Sequence, residues 1–177
     1  MKYEEVEVNS ERWFELTPLL NEEFRNIKGY EGQYQVSNYG RVKSLERKVF
    51  KNNNFNIKYT TYKEKILLQV QKNIKNNQKY YTVAMYKKDK RCDKKVHILV
   101  AEVFLNKQDF KSMPDEDRNT INLNKLQVNH KDEHQNNNKL PNLEWCTHKY
   151  NCNYGTRIER IRQTKLKKGD DEQWLMR

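Results

Sequence analysis

A histidine and two asparagines at fixed spacing are the residues of this sequence best suited to chemistry. His130 is followed after 12 residues by Asn142 and after 21 residues by Asn151. A histidine near its ordinary pKa accepts a proton at neutral pH, whereas asparagine is neutral and offers an amide oxygen to a cation or a loop. One base beside amide oxygens that hold a hard metal ion suggests a minimal phosphodiester-cleaving site.

Three short elements are predicted to position these residues. Residues 126–128 read as a strand that leads into His130, and residues 143–146 read as a second strand. Thr147 is a suitable N-cap for a following helix, because its hydroxyl oxygen accepts hydrogen bonds from free backbone N–H groups. Asn151 then lies one turn into the helix. The predicted order is strand, loop, strand and helix, with the base and the amide oxygen facing one crevice.

Upstream, the sequence predicts small antiparallel sheets and one buried helix, an α+β architecture. Alternation around Tyr34 and Val36, followed by Asn38-Tyr39-Gly40 and Val42, indicates a hairpin with a glycine in its turn. The remaining predictions by range are a loop at 51–64, a short strand at 66–70, a polar turn region at 71–79, a strand pair at 80–87 and 92–96, a helix at 98–105 and a surface loop at 106–124.

Charge is concentrated in two basic blocks. The 177 residues carry a formal net charge of +11, although residues 1–24 are acidic. Residues 41–95 hold 17 Lys or Arg against four acidic residues, and residues 157–168 hold six against one. Such blocks predict a polyanionic partner, with nucleic acid favoured over an anionic membrane. Composition alone leaves open a Lys-rich chain whose charged faces are only solvated.

The basic residues suggest two phosphate-contacting segments. In the hairpin's second arm and beyond, the candidates are Arg41, Lys43, Arg47 and Lys48. This arm is either a phosphate-contacting ribbon or a solvated edge strand protected by its cations. A basic helix is predicted from residue 157, where Arg157 and Arg160 either follow a nucleic-acid backbone or belong to a fraying tail.

Composition also bounds the cellular setting. Cys92, Cys146 and Cys152 lack close-paired spacing, which argues against a disulfide framework and fits a reducing interior. No apolar run approaches the ~18 residues needed to cross a membrane. The start Met1-Lys2-Tyr3-Glu4-Glu5 is not that of a signal peptide. A cytoplasmic protein without a membrane partner is therefore predicted.

The motifs resemble those of the HNH (ββα-metal) nucleases. His130, Asn142 and Asn151 supply the three letters of the name. The sequence Val-Asn-His-Lys-Asp, followed by Asn-Leu-Glu-Trp-Cys-Thr, is similar to the motif of the subgroup found in phage homing endonucleases. The segment from His97 to Phe104 resembles the helix that precedes the motif in that subgroup.

A second resemblance lies upstream, at residues 29–45. They are similar to a modular DNA-binding motif that is often fused in front of the HNH module. Together the two resemblances cover residues 24–48 and 95–160. Two motifs in the expected order make the signal more specific than one His and two Asn in an Asn-rich chain.

The resemblance implies a role for each site residue. His130 would be the general base that activates water, and Asn142 would hold the loop that orients it. Asn129 and Asn151 would bind one divalent cation, Mg²⁺ or Mn²⁺, which stabilises charge on the phosphate and the departing 3′ oxygen. His97 is a possible further site residue, either near the DNA phosphate and the site or packed as a hydrogen-bonded histidine.

The sequence departs from the family pattern at Asn129. In many relatives the residue before the histidine is Asp, and a neutral ligand holds a hard cation less firmly. Asp132, two residues beyond His130, is either a compensating ligand or a cap of the loop.

The resulting prediction is a metal-dependent HNH endodeoxyribonuclease of the phage homing type, acting on double-stranded DNA in the host cytoplasm. Residues 1–95 would form the DNA-binding region, 96–156 the nuclease domain, and 157–177 a basic C-terminal helix or tail. One site per chain predicts nicking by a monomer, with double-strand cleavage by a homodimer or a second cut. The alternatives are a DNA-binding protein with a decayed nuclease site, motivated by Asn129, and a structured-RNA binder.

Overall fold

The computed structural model describes residues 2–53, 56–74, 78–159, 161–164 and 166. The chain is a mixed α/β protein built from small sheets. It divides into two compact units, a first unit of residues 1–105 and 130–143 and a second unit of residues 106–129 and 144–177. These units are defined by packing, and the predicted division of the chain by role stays a prediction.

The first unit contains most of the strands. The elements that lie wholly within it are α1 (Glu11–Phe14), β1 (Phe24–Asn26), β2 (Tyr34–Ser37), β3 (Val42–Ser44), β4 (Arg47–Asn53), β5 (Asn56–Tyr62), β6 (Lys65–Ile66), β7 (Gln69–Ile74), β8 (Gln78–Lys87), β9 (Lys90–Lys95) and α2 (Val96–Phe104). They form an antiparallel sheet in the order β1-β2-β3-β6, a two-stranded β4-β5 ribbon and an antiparallel β7-β8-β9 sheet.

The predicted hairpin is present as β2 and β3. Its turn is closed by Ser37, whose backbone N–H donates to the carbonyl of Arg41 at 2.8 Å. Gly40 has a φ of +88°, a conformation that side chains with a Cβ rarely adopt. A Cβ at Gly40 would also lie 3.1 Å from Cβ of Asn138 and 3.2 Å from Cγ1 of Val96. The turn therefore requires glycine for both its backbone angle and its close packing.

Helix α2 forms the apolar centre of the first unit, as predicted. It packs against β2, β8 and β9. Its buried side chains are Val96, His97, Leu99, Val100 and Ala101. The strands against which it packs carry buried residues of their own, such as Val36 in β2 and Met85 in β8. A helix buried around so much of its surface is apolar on several sides, which is the composition that the sequence shows here.

Arg41, predicted to contact phosphate, is instead a core residue. Its side chain is 0% exposed, and Nη1 donates to Oε2 of Glu22 at 2.9 Å. The guanidinium also donates to the backbone carbonyls of Glu15 and Thr17. The acidic N-terminal segment thus folds over the arginine and neutralises it, so the predicted phosphate contact at Arg41 is wrong.

The prediction of a loop at residues 51–64 was wrong. Residues 51–64 were expected to form a loop, but β4 and β5 pair as a ribbon through this region, and Phe50 and Tyr59 face each other with ring centroids 5.5 Å apart. Here β-favouring residues interleaved with Asn and Lys outweigh polarity. Residues 54–55, part of the predicted loop, lie outside the described residues.

The predicted strand at 66–70 belongs to two different sheets. β6 ends at Ile66, which is buried, and β7 begins at Gln69, with Leu68 between them 60% exposed. One short apolar run therefore serves two sheets. β7 and β8 also extend into the predicted turn region at 71–79, of which residues 75–77 lie outside the described residues. The strand pair at 80–87 and 92–96 is confirmed in β8 and β9.

The predicted strand, strand and helix around the site are present as β10 (Gln127–His130), β11 (Leu143–Cys146) and α3 (His148–Asn153). The two strands form one small sheet. The predicted surface loop before them is irregular apart from short 3-10 turns at Lys107–Asp109, Arg118–Thr120 and Leu123–Lys125. Thr147 caps α3 as predicted, because its Oγ1 accepts from the backbone N–H of Tyr150 at 3.1 Å.

The core of the second unit contains Phe110, Trp145 and Cys146. Beyond α3, residues 157–159 and 161–164 are helical, and most of the remaining C-terminal residues lie outside the described part of the chain. The basic C-terminal helix therefore stays a prediction. None of the helices among the described residues is long and apolar enough to span a bilayer.

Candidate active site

His130 lies at the end of β10 and is oriented by an asparagine. It is buried, and its Nε2 lies 3.3 Å from Oδ1 of Asn138. An amide oxygen only accepts hydrogen bonds, so this pair places the proton of a neutral imidazole on Nε2 and the lone pair on Nδ1. Burial lowers the pKa of His130, although the bond with Asn138 and the charge of Asp132 oppose that shift. The neutral form is the one that can accept a proton.

Two rings pack against His130 within the first unit. The ring centroid of His97 lies 5.0 Å away at an interplanar angle of 66°, and that of Tyr80 lies 6.2 Å away in a stacked arrangement. Tyr80 and His97 are themselves 4.7 Å apart. The three rings form a cluster that restricts how the imidazole of His130 can rotate.

His97 is a neutral packing residue in this cluster. Burial lowers its pKa to about 3, and the neighbouring His130 and Lys95 act in the same direction. Its Nδ1 is buried and has no hydrogen-bond partner among the described residues. The structure therefore favours the packed histidine of the two predicted alternatives, without the expected hydrogen bond at Nδ1.

Asn142 and Asp132 hold the loop that follows His130. Oδ1 of Asn142 accepts from the backbone N–H of Asp132 at 3.0 Å, and its Nδ2 donates to Oδ1 of Asp132 and to the carbonyl of Asn137, both at 2.9 Å. Asp132 also accepts from Nδ2 of Asn137 at 2.7 Å and from the backbone N–H of His134 at 2.8 Å. This network supports the loop-holding role of Asn142.

The same network bears on whether Asp132 is a metal ligand. Burial raises the pKa of Asp132, but the hydrogen bonds from Asn137, His134 and Asn142 outweigh it and hold the pKa below its ordinary value. Both carboxylate oxygens are thus engaged in closing the loop. This arrangement favours the loop cap over the compensating ligand.

The upstream hairpin supports the loop directly. The backbone N–H of Leu140 donates to the carbonyl of Asn38 at 2.8 Å, and Asn138 packs on Gly40. The turn of the hairpin therefore positions the amide that orients His130. The sequence alone does not single out Asn138, because no local pattern distinguishes it from its neighbours Asn136 and Asn137.

The predicted metal ligands lie in the second unit, each bound to a partner. Nδ2 of Asn129 donates to Oε1 of Glu144 at 2.8 Å, and Nδ2 of Asn151 donates to Oε1 of Gln127 at 2.8 Å. Nε2 of Gln127 lies 3.1 Å from Nδ1 of His148. Because both asparagines donate through Nδ2, their amide oxygens are the ends suited to bind a cation. Sequence reasoning missed Glu144 and Gln127.

This donor set fits a hard cation. Amide and carboxylate oxygens suit Mg²⁺ or Mn²⁺, whose remaining positions are commonly filled by waters and substrate phosphates. Among the described residues, no three His, Cys, Asp or Glu side chains converge as a metal cage. Burial raises the pKa of the Cys146 thiol to about 12, so this sulfur is not a thiolate ligand. The donor chemistry suits an ion that is held by oxygen ligands and that also binds oxygens of its substrate.

The predicted phosphate contacts differ in their surroundings. Lys48 and Arg157 are exposed. Nζ of Lys43 pairs with Oε1 of Glu64 at 3.0 Å, and Arg47 donates to Oγ of Ser44 at 2.9 Å. The Arg47 guanidinium also lies over the rings of Tyr34 and Tyr62, at 5.0 and 5.2 Å from their centroids. Arg160 lies outside the described residues.

Comparison with known proteins shows what this chain is similar to. Residues 22–86 match the NUMOD4 motif, which contains the predicted motif at 24–48 and extends beyond it through most of β8. Together with the similarity described next, this match confirms the predicted resemblance to the phage-type HNH homing endonucleases that carry a NUMOD4 motif.

One similar protein is the DNA endonuclease I-HmuI of Bacillus phage SP01. The chain is 32% identical to it over 129 residues, which cover 73% of this chain and 55% of that protein. The chain thus spans about half the length of this curated relative. It is also similar to a solved structure that describes DNA binding and cleavage by the HNH homing endonuclease I-HmuI, at 28% identity and a TM-score of 0.46, over 81% of this chain and 68% of that one.

Proposed function

We propose that this chain is a metal-dependent endonuclease that hydrolyses phosphodiester bonds of double-stranded DNA, with His130 as its general base. The observation that carries the proposal is the pairing of His130 with Asn138 at 3.3 Å, which leaves the lone pair on Nδ1 of a buried, neutral imidazole. The sequence similarity to a protein named as a DNA endonuclease supports it.

In this mechanism the first unit prepares the base. Nδ1 of His130 accepts the proton of the attacking water, and the resulting imidazolium keeps its Nε2–H bond to Asn138. The rings of His97 and Tyr80 pack against the imidazole of His130 and limit its rotation. Asn142 keeps the loop closed through its three hydrogen bonds.

The second unit provides the ligands for one divalent ion. Asn129 and Asn151 would hold it through their amide oxygens, with the amide nitrogens fixed by Glu144 and Gln127. When bound, such an ion stabilises negative charge on the phosphate and the leaving 3′ oxygen. Either Mg²⁺ or Mn²⁺ suits oxygen ligands of this kind.

The NUMOD4 region and the basic residues after α3 would bind the duplex. Lys48 and Arg157 are exposed cations and are therefore the better candidates for phosphate contacts. Lys43 and Arg47 would first have to give up their contacts with Glu64 and Ser44. One site per chain makes nicking of a single strand the simplest outcome for a monomer, and a homodimer would allow both strands to be cut. This division of labour follows the predicted domains at 1–95, 96–156 and 157–177.

A second candidate function is DNA binding without cleavage. Asn129 motivates it, because a neutral amide stands where many relatives carry a carboxylate. Such a protein would bind DNA with an affinity that falls as salt rises, yet would break no strands.

Incubation of supercoiled plasmid with the purified chain and Mg²⁺ or Mn²⁺ tests these functions. We expect open circles from wild type and from His134→Ala, whose side chain is 81% exposed in the same loop. His130→Ala should lose nearly all cleavage. Equal cleavage by His130→Ala and wild type would contradict the assigned base. DNA binding without cleavage by wild type in either metal would support the second candidate.

A further inference from the structure

We propose that Glu144 belongs to the metal site, where its carboxylate supplies the negative charge that Asn129 lacks and fixes the amide oxygen of Asn129 for the cation. This inference rests on the proposed function. It begins from one contact, the 2.8 Å hydrogen bond from Nδ2 of Asn129 to Oε1 of Glu144. Asn129 is 6% exposed, so this bond has little competition from water.

The bond determines how the asparagine is presented. An amide whose NH₂ group is held by a carboxylate directs its carbonyl oxygen to the opposite side. The carboxylate also polarises the amide and makes that oxygen a better ligand, as outer hydrogen-bond partners do in other metal sites. Glu144 therefore acts on the cation through Asn129 even without binding the ion itself.

Glu144 also lies in the strand that leads into the helix with the other predicted ligand. Its strand β11 ends at Cys146, and Thr147 then caps α3, which carries Asn151. The carboxylate is thus hydrogen-bonded to β10 and close in sequence to α3 within the second unit. Among the described residues of that unit, it is the carboxylate that accepts a hydrogen bond from a predicted ligand.

Other acidic residues of the second unit have different partners. Oε2 of Glu116 accepts from Oγ1 of Thr147 at 2.7 Å, and Asp115 pairs with Lys149. Both contacts stabilise the start of α3. A hard divalent ion strongly prefers at least one anionic oxygen near it, and Glu144 meets that need while keeping the amide geometry intact.

The test follows Mn²⁺ binding by nuclear magnetic resonance on the full chain labelled with ¹⁵N. Bound Mn²⁺ broadens the side-chain amide signals of nearby residues, so those of Asn129 and Asn151 report weak binding directly. In Glu144→Gln the amide of Asn129 keeps an acceptor but loses the charge. We expect this variant to need roughly tenfold more Mn²⁺ for the same broadening of the Asn151 signal.

Two further variants sharpen the comparison. Asp115→Asn removes one charge from the same unit at an exposed ion pair, and it should titrate like wild type. Asn129→Asp combined with Glu144→Gln moves the charge across the hydrogen bond and reverses its direction, so we expect Mn²⁺ binding to recover. Wild-type behaviour of Glu144→Gln, a loss no larger than in Asp115→Asn, or no selective broadening in wild type would each overturn the inference.

Plasmid cleavage separates this inference from the proposed function. If wild type nicks DNA with Mn²⁺ while Glu144→Gln binds Mn²⁺ equally well, the endonuclease stands and the role of Glu144 falls. If wild type binds Mn²⁺ at Asn129 and Asn151 but cleaves nothing, the endonuclease falls while the role of Glu144 is decided by the titration alone.

Discussion

Oδ1 of Asn138 lies 3.3 Å from Nε2 of His130 and accepts its hydrogen bond. Because both side chains are buried, water has little access to replace this acceptor. The same asparagine packs on Gly40 through its Cβ and carbonyl oxygen. A residue of the loop that follows His130 and a turn of the upstream hairpin are therefore parts of one packing arrangement.

Replacing Asn138 with leucine should remove the hydrogen bond that fixes His130 in one neutral tautomer. Leucine has the same number and branching of side-chain heavy atoms but no acceptor, so the imidazole would populate both neutral tautomers. The ¹⁵N shifts of the ring, resolved among only four histidines, report this directly. We expect cleavage to fall by roughly 100-fold. Asn136→Leu, at an exposed position of the same loop, should leave both readouts unchanged, and a His130 spectrum unchanged in Asn138→Leu would refute the assignment.

Gly40→Ala should destabilise the first unit more than Gly32→Ala. Both glycines have positive φ, at +88° and +70°, so both substitutions carry backbone strain. Only at Gly40 would the new Cβ meet Asn138 and Val96, whereas nothing lies within 4 Å at Gly32. The added overpacking should cost about 1–3 kcal/mol in the free energy of unfolding, measured by urea denaturation. Equal losses in the two variants would show that Asn138 yields without cost.

Arg41→Met should destabilise the protein without changing its affinity for DNA. The substitution leaves the carboxylate of Glu22 buried at 0% exposure without its cation, which should cost about 3–5 kcal/mol. Adding Glu22→Leu should recover part of that loss, because no charge then remains buried. Urea denaturation measures both variants. Similar stability of Arg41→Met and wild type would contradict the buried ion pair.

Lys48→Ala should weaken DNA binding without changing stability, because the side chain of Lys48 is exposed in the β4–β5 ribbon. A lost phosphate contact lowers the slope of log affinity against log salt by about 1 while stability stays the same. Fluorescence anisotropy with a labelled duplex at several salt concentrations gives the slope. An unchanged slope would remove Lys48 from the DNA-contacting residues.

His97 should make the stability of the protein depend on pH. Its pKa is about 3 when folded and near 6.5 when unfolded, so the unfolded state binds the proton first as pH falls. The stabilisation is complete above pH ~7 and declines by up to ~1.4 kcal/mol per pH unit below ~6. Urea denaturation at several pH values should show a shallower decline for His97→Phe. His134→Gln serves as the exposed control, and a slope identical to wild type in His97→Phe would contradict the burial effect.

Local patterns predicted the elements around the site well, because β10, β11, the Thr147 cap and α2 depend on neighbouring residues. The ribbon of β4 and β5 was missed, since Asn and Lys in the segment concealed its β-favouring residues. Arg41 was misassigned for a different reason. Its burial depends on Glu22, which lies 19 residues away, and no periodicity of a single strand reveals such a partner.

Prediction of the site itself followed the same division. His130, Asn142 and Asn151 could be chosen from their types and spacing, whereas Asn138, Glu144 and Gln127 could not. Each of these three acts through one hydrogen bond across a loop or between elements. Such bonds depend on the register of packed elements, which the sequence does not display locally.

The chain order of the two units constrains how such a protein can be recombined. Residues 130–143 pack with residues 1–105. The first unit therefore includes a segment that lies, in sequence, between the two parts of the second unit. A NUMOD4 hairpin transplanted alone would arrive without the asparagine that fits its glycine turn. Exchange of DNA-binding regions among relatives should therefore preserve the pairing of turn and loop, and chimeras that break it should fold poorly even when every motif is intact.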